Sequence, residues 1–548
     1  MIPRILKSLS KSERQLLVGV SIIFVTAVLF WGTLIFYKGT SEKPASGGTY
    51  TEGVIDQPIA VNPLISTNEA DRDIAQLVFA DLLTLSEKYE ANADKKIWTF
   101  DLKPDLKWSD GKPLTANDVI FTLEVILDTD TRSPLYQTWQ GVVGERVSER
   151  QFRFLLKTPY AFFEDNLRNF KVMPRHLFEN IPTANIALSS YNLEPVGSGP
   201  YKFVGYNKRK DGFITDYRLT RNPHYAGDKP FIDDFNFKFF SNKEDLLAAF
   251  NNKEIDGVGG LGLNDIAKIK ITNTVYKITI PAYYSISFNP SLNEALKEKE
   301  VRQALTLAID KSGLVKTVFD SQAMVIHGPI VPALTGYDPA IYEQERFSPE
   351  EAKKLLDDRG WVLGADGMRS KSVGSKKVVL QFELTVPQVE FLTATADFLK
   401  TGWEAIGVKV TTNVMRPSEV ISNAIKTRNY QLILFGTILK TNPDIFSFWH
   451  SSERFYPGGN LATFNNKTVD GLLESVKSDF NATTSAQSLS KIQQIINDER
   501  PAIFLYSPSY FYVANRKLNG FDQKIIATRA DRFDNVAKWH LKTTRSLK

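Results

Sequence analysis

Five histidines, His176, His224, His327, His450 and His540, are the natural place to look for metal or general-base chemistry. None stands at a metal-ligand spacing from another, so no conventional zinc site is expected. The chain has no cysteine, which excludes thiol catalysis, Cys-ligated metals, disulfides and lipid attachment through a Cys. Gly197-Ser198-Gly199 lacks the Gly-x-Ser-x-Gly spacing of a nucleophile elbow and reads as a turn before Pro200. The carboxylate pairs Asp233-Asp234 and Asp357-Asp358 are adjacent in sequence and would point apart. Residues 257–262, GVGGLG, are glycine-rich, but no Lys-Ser/Thr pair follows to make a phosphate loop. No catalytic residue, metal or cofactor is expected; the residue types favour binding over catalysis.

The elements that would carry a binding site are those of a large two-part protein. At 548 residues the chain exceeds the ~250–300 at which single cores stop growing, so two or more lobes are expected. Its 36 Phe and 20 Tyr allow large cores or an aromatic-lined cavity. The formal charge of +5 raises the question of a nucleic-acid partner, but its location answers it. Arg4, Lys7, Lys11, Arg14 and Lys38 against Glu13 put +4 on the first 40 residues and leave +1 for the rest. No basic stripe faces phosphates, and no nucleic-acid partner is expected.

That amino-terminal charge flanks an uncharged run. Residues 15–37 are 23 residues without a charged side chain. As a helix they span roughly 35 Å, enough for a hydrocarbon core of ~30 Å and longer than the apolar region of a cleavable signal. An uncleaved anchor is expected, although Ala45-Ser46-Gly47 would suit processing. By the positive-inside rule residues 1–14 are a cytoplasmic stub and the body lies outside the cell membrane, extracellular or periplasmic. Residues 38–48 read as a flexible stalk.

In the body, strand and helix signals alternate, which argues for α/β lobes. Trp98, Phe100 and Leu102 alternate with polar residues as in a half-buried strand. Thr115 and Asp118 form a capping-box pattern before the apolar stripe Val119, Leu123, Ile126 and Leu127. Residues 301–318 read as helix interrupted near Ser312-Gly313. Ser348-Pro349-Glu350-Glu351 opens a helix ending near Gly360. Another, around 391–406, stops at Gly407 and leads into a strand at 408–412.

Against this background, IWTFDLKPDLKWSDGKPLTANDVIFTLE (97–124) resembles the signature of the family 5 extracellular solute-binding proteins, the dipeptide- and oligopeptide-binding proteins of ABC importers. The resemblance extends through residues 47–85, EPVGSGPYKF (194–203), residues 221–256, residues 283–311 and ERPAIFLYSPSYFYV (499–513). It implies a periplasmic-binding-protein type II clamshell. The first lobe would comprise 49–82, an extra subdomain at 83–188, then 189–281 and a carboxy-terminal return at 506–548. The second lobe would be 282–505, with hinges near Tyr283 and Tyr506. The implied function is capture of a peptide or peptide-like solute by a monomer that delivers it to ABC permease subunits. A carboxylate-based surface hydrolase, and a receptor for a sugar, metal complex or haem, remain open alternatives.

Within such a clamshell three groups are expected to bind ligand. The loop Asn62-Pro63-Leu64-Ile65 suits an irregular backbone that exposes amides. Tyr283-Tyr284-Ser285 sits at the lobe crossing. Phe435-Gly436-Thr437, with Asp444 and Trp449 further on, follows an apolar strand whose end should reach the cleft. The resemblance also implies an aspartate that pairs with a peptide's α-ammonium. Here Leu439 or Lys440 stands at that place, and neither can neutralise an ammonium.

Overall fold

A 29-residue helix, Lys11–Gly39, opens the described part of the chain. The structure, a computed structural model, describes residues 10–343 and 345–547. Ser10 and Glu13 form the capping box that sets the helix start, as the mutual hydrogen bonds of a Ser-x-x-Glu pattern require. The apolar run 15–37 lies wholly inside this helix, which is long and apolar enough to cross a membrane and buries none of its residues in the body. Residues 1–9 of the expected cytoplasmic stub lie outside the described residues.

The segment expected as a flexible stalk is partly ordered. Thr40–Ala45 forms a strand paired antiparallel with Lys542–Leu547, Thr40 opposite Leu547 and Ala45 opposite Lys542. Arg545 ties the ribbon to the helix. It donates to Thr40 Oγ1 at 3.1 Å and to Glu42 at 3.3 Å, and lies 4.0 Å from the Tyr37 ring centroid. Pro44 is tolerated because the ribbon has only two strands, both edges.

One twelve-stranded sheet runs through both lobes. The 14-residue strand Ala502–Asn515 belongs to each. Its first part pairs with Ala282–Phe288, which pairs in turn with Leu432–Ile438. Its second part pairs with Asn273–Thr279 and Gly257–Gly259, and the latter continues to the body's first strand, Thr49–Ile55. The chain therefore crosses between lobes at residues 280–281 and again within the shared strand near Ser507. Trp361, Trp403 and Tyr506 anchor the core of the second lobe; Tyr50, Phe235, Tyr512 and Trp539 anchor that of the first. A separate four-stranded antiparallel sheet, Ser86–Ala91, Ile97–Leu102, Gln151–Leu155 and Val143–Arg146, has its own core. There the alternation of Trp98, Phe100 and Leu102 buries one face, with Phe100 stacked on Phe152 at 4.9 Å.

Thr115 and Asp118 cap Ala116–Leu127, and Ser348 caps Pro349–Asp358 by accepting from the Glu351 amide. The helix expected over 301–318 is two helices, Lys299–Leu307 and Lys311–Phe319. Their break falls at 308–310, earlier than Ser312-Gly313. Asp310 is the reason: its carboxylate accepts from the Gly313 amide at 2.9 Å, which places Gly313 inside the first turn of the second helix.

The first lobe closes over a buried ionic group. Arg532 donates to Glu52 at 2.9 Å and to both oxygens of Asp73, while Tyr512 donates to Glu52 at 2.8 Å. Two carboxylates facing one guanidinium leave a surplus negative charge in a dry site. Burial accordingly pushes the Glu52 carboxyl from 4.5 up to about 7, against the pull of Arg532. A carboxyl raised in the folded state stabilises fully below its unfolded value. That contribution is lost as the pH rises through the folded value. Wild-type stability should therefore fall between pH 4.5 and about 7, and Glu52→Gln should flatten that decline. Thermal unfolding across this range checks it.

Candidate functional site

The two crossings place the floor of a cleft between the lobes. A cavity of about 420 Å³ lies there. Its first-lobe wall includes Glu69 and Arg72 from the helix Glu69–Val78, Tyr510 from the shared strand, and Arg529. Its second-lobe wall includes Tyr284, Phe391 and Ile438. Helix Glu69–Val78 starts where it does because Asn68 accepts from the Asp71 amide at 2.7 Å, which turns the first helical residues toward the cleft. Arg529 opens a short 3-10 turn after Thr528, whose capping box with Asp531 fixes it.

The aromatic wall is built by packing. Tyr284 stacks on Tyr506 at 5.5 Å and meets Phe391 edge-on at 5.2 Å. Burial raises its hydroxyl pKa, and the nearby Arg529 guanidinium offsets this in part. Across the strand pair, Tyr284 lies opposite Gly436. A Cβ at Gly436 would stand 2.8 Å from Tyr284 Cε1, closer than carbon atoms pack. Gly436→Ala should therefore push the Tyr284 ring toward the cavity. A molecule held in this cavity should bind about tenfold more weakly, with a stability cost of about 1–3 kcal/mol; titration calorimetry beside thermal unfolding separates the two effects.

A second cavity, about 320 Å³, lies between the four-stranded subdomain and the second lobe. Gln137, Tyr160 and Asn166 face Lys440, Asp444 and Lys477 there. Three hydrogen bonds join these parts among the described residues. The Tyr160 hydroxyl donates to Asp444 at 2.7 Å, Asn442 donates to Asp165 at 2.9 Å, and the Ala161 amide donates to the Lys477 carbonyl at 2.7 Å. Burial beside Asp444 raises the Tyr160 pKa well above its ordinary value, so this hydroxyl keeps its proton. Lys477 Nζ sits 4.1 Å from the Phe446 ring centroid and closes the side of the cavity.

Of the residues singled out from sequence, Tyr284 lines the first cavity and Asp444 the second. Asp444 also accepts from the Phe446 amide at 3.1 Å, the start of a short helix. The others stand around these cavities. Asn62 is buried; its side chain accepts from Leu64 N at 3.0 Å and donates to Asn192 at 3.1 Å. Leu64 is in the subdomain core, with Ile65 packed against it and Pro63 half-buried. Tyr283 is buried against Phe504 at 5.1 Å, and Trp449 packs on the same ring at 5.7 Å. Ser285 is buried opposite Phe435, and Thr437 lies opposite Tyr283. Leu439 is buried with its amide donating to the Pro281 carbonyl at 2.7 Å, and Lys440 is exposed at the second cavity. Sequence reasoning missed Glu69, Arg72, Phe391, Tyr510 and Arg529. The cap at Asn68 was a usable signal for the first two, and the Thr528–Asp531 capping-box pattern for the turn that Arg529 opens.

Comparison with known proteins agrees with this geometry. Residues 83–455 match the middle region of the bacterial extracellular solute-binding proteins, family 5. The chain is 27% identical over 523 residues to an oligopeptide-binding protein, AppA, of Bacillus subtilis, covering 92% of this chain and 93% of the relative. The crystal structure of that protein with a nonapeptide superposes with a TM-score of 0.71 at 26% identity, covering 91% of this chain and all of that one. NikZ of Campylobacter jejuni, solved with Ni(L-His), shares the fold at TM-score 0.70 and 24% identity, over 90% of this chain and 99% of its own. A lobe-spanning sheet, a cavity at its crossings and a family match over most of the body lead to one conclusion: this chain belongs to the bacterial extracellular solute-binding proteins, family 5.

Proposed function

We propose that the chain captures a peptide or peptide-like solute between its lobes and passes it, without chemical change, to the permease subunits of an ABC importer. The observation that carries this reading is the cavity at the crossings of the shared strand Ala502–Asn515, walled by both lobes at once. A solute there touches the two lobes together and so favours the closed arrangement over the open one. Similarity to AppA supports the solute class. We further propose a monomer tethered with its body outside; the helix Lys11–Gly39, long and apolar enough to cross a membrane, supports the tether.

The three hydrogen bonds between subdomain and second lobe would then act as a closing latch. Tyr160→Phe removes the hydrogen bond to Asp444 and leaves a carboxylate short of a partner. Apparent affinity for a bound peptide should drop about tenfold, the scale of a hydrogen bond to a charged group. Thermal stability should hardly change. Binding of defined peptides to the full chain in detergent, with scattering to follow closure, tests the reading. Binding with compaction is expected; turnover of the peptide by the pure chain would overturn it. Intact mass of the protein from membranes tests the tether: cleavage near Ala45-Ser46-Gly47 would contradict it.

A further inference from the structure

The charges around the first cavity are not evenly spoken for. Four charged side chains line it: Glu69, Asp73, Arg72 and Arg529. Asp73 is buried and committed to Arg532. Glu69 is ion-paired with Arg529. Asp71, the acid beside Arg72 in sequence, spends a carboxylate oxygen on the amides of Ile59 and Ala60 at 2.7 and 2.8 Å. Arg72 interacts with Asp71 only through space and stands exposed on the cavity wall with no ion pair among the described residues. Arg72 is thus the lining charge without an ion pair among the described residues, and it carries a guanidinium, the group best shaped to hold a carboxylate by two hydrogen bonds.

The Glu69–Arg529 pair does not cancel this. Both side chains are about half exposed, and such pairs contribute little, so an incoming carboxylate that loses its water on closure competes well for Arg529. A cation fares worse. It would meet the unpaired Arg72 beside the Glu69–Arg529 pair, with Asp73 held by Arg532, and the neighbouring loop offers Leu439, buried and apolar, and Lys440. The remaining wall, Tyr284, Phe391 and Tyr510, suits apolar or aromatic surface.

We propose that this cavity recognises its solute through an anionic group, a carboxylate, received by Arg72 and Arg529 with apolar surface against Tyr284, Phe391 and Tyr510, and that no free α-ammonium is required. This rests on the peptide-capture reading above and names the feature of the peptide that matters. The carboxylate has two sources, a free carboxyl terminus or an Asp or Glu side chain.

The test uses the full chain in detergent, immobilised and offered equimolar pools of random hexapeptides. The pools have free or acetylated amino termini and free or amidated carboxyl termini, with and without Asp and Glu in the mixture. Retained peptides are read by mass spectrometry. Pools containing a carboxylate should be enriched on the order of tenfold to a hundredfold over amidated pools lacking Asp and Glu, with acetylation indifferent. Enrichment of amidated peptides that carry Asp or Glu would support the same anion site and assign its source to the side chain. Arg72→Gln and Arg529→Gln should each reduce the enrichment. Arg529→Gln, which frees Glu69, should also introduce a preference for free amino termini. A wild-type preference for free amino termini with indifference to amidation overturns the inference and leaves peptide capture standing. Unchanged anion preference in both variants overturns the assignment to these arginines. Retention of no pool at all overturns the peptide reading, and the inference with it.

Discussion

Arg532→Met should unfold the first lobe at a temperature on the order of 10 °C below wild type. Arg532 is buried, and its guanidinium serves Glu52, Asp73 and the Arg529 carbonyl at once. Methionine keeps much of the volume but leaves two carboxylates with no counter-charge. Breaking a buried pair from one side costs about 3–5 kcal/mol, and for a lobe of this size each kcal/mol moves the midpoint by about 2–4 °C. The loss should be confined to the first lobe, because the second has its own core around Trp361 and Trp403. Calorimetry of the full chain should show one transition moving and the other holding. Adding Glu52→Gln and Asp73→Asn should recover part of the loss, since the penalty lies in the stranded charges.

The second large effect is expected at Gly199→Ala. A Cβ there would lie 2.5 Å from the Leu77 carbonyl oxygen and 2.7 Å from the Phe79 amide nitrogen. Those atoms are backbone, so no flexible side chain can swing away. The close approach is functional in the fold: the Gly199 amide donates to the Val78 carbonyl at 2.7 Å, Ser198 Oγ accepts from the Ala80 amide, and the Gly197 carbonyl accepts from the Ser109 amide at 2.9 Å. Together these staple the subdomain loop at Ser109 to the end of the helix that bears Arg72. Overpacking costs about 1–3 kcal/mol and occasionally more; contact with backbone alone argues for the upper end. Since the staple also positions the subdomain that carries Tyr160, Gly199→Ala should weaken solute binding as well as stability. Ser198→Ala, which removes one side-chain hydrogen bond and keeps the Cβ, should cost about 1 kcal/mol. Unfolding and binding measured on both variants check the contrast.

How much of this was legible in sequence follows from range. Local signals read well: the caps at Thr115 and Ser348 and the alternation of Trp98, Phe100 and Leu102 depend on neighbours a few residues away. The break before Lys311–Phe319 was misplaced because Ser-Gly looked like a stop, whereas Asp310 makes it a start. The ordered ribbon at Thr40–Ala45 was invisible because its partner lies about 500 residues on. The cleft was reached only in part for the same reason. Tyr283 and Tyr284 are adjacent on one strand, so their side chains point to opposite faces, and only Tyr284 reaches the cavity. Nothing local separates them. Arg72 and Arg529 are 457 positions apart in the sequence and meet through the return of the chain to the first lobe.

The central claim is that a solute held between the lobes is the working state of this protein. Native mass spectrometry of the full chain, released from gently extracted membranes, tests it most directly. The account predicts a fraction carrying an extra mass that fragments as a peptide, diminished on Gly436→Ala and on Tyr160→Phe. A chain that emerges bare under all conditions, gains no mass when peptides are added and cleaves a substrate instead would contradict it.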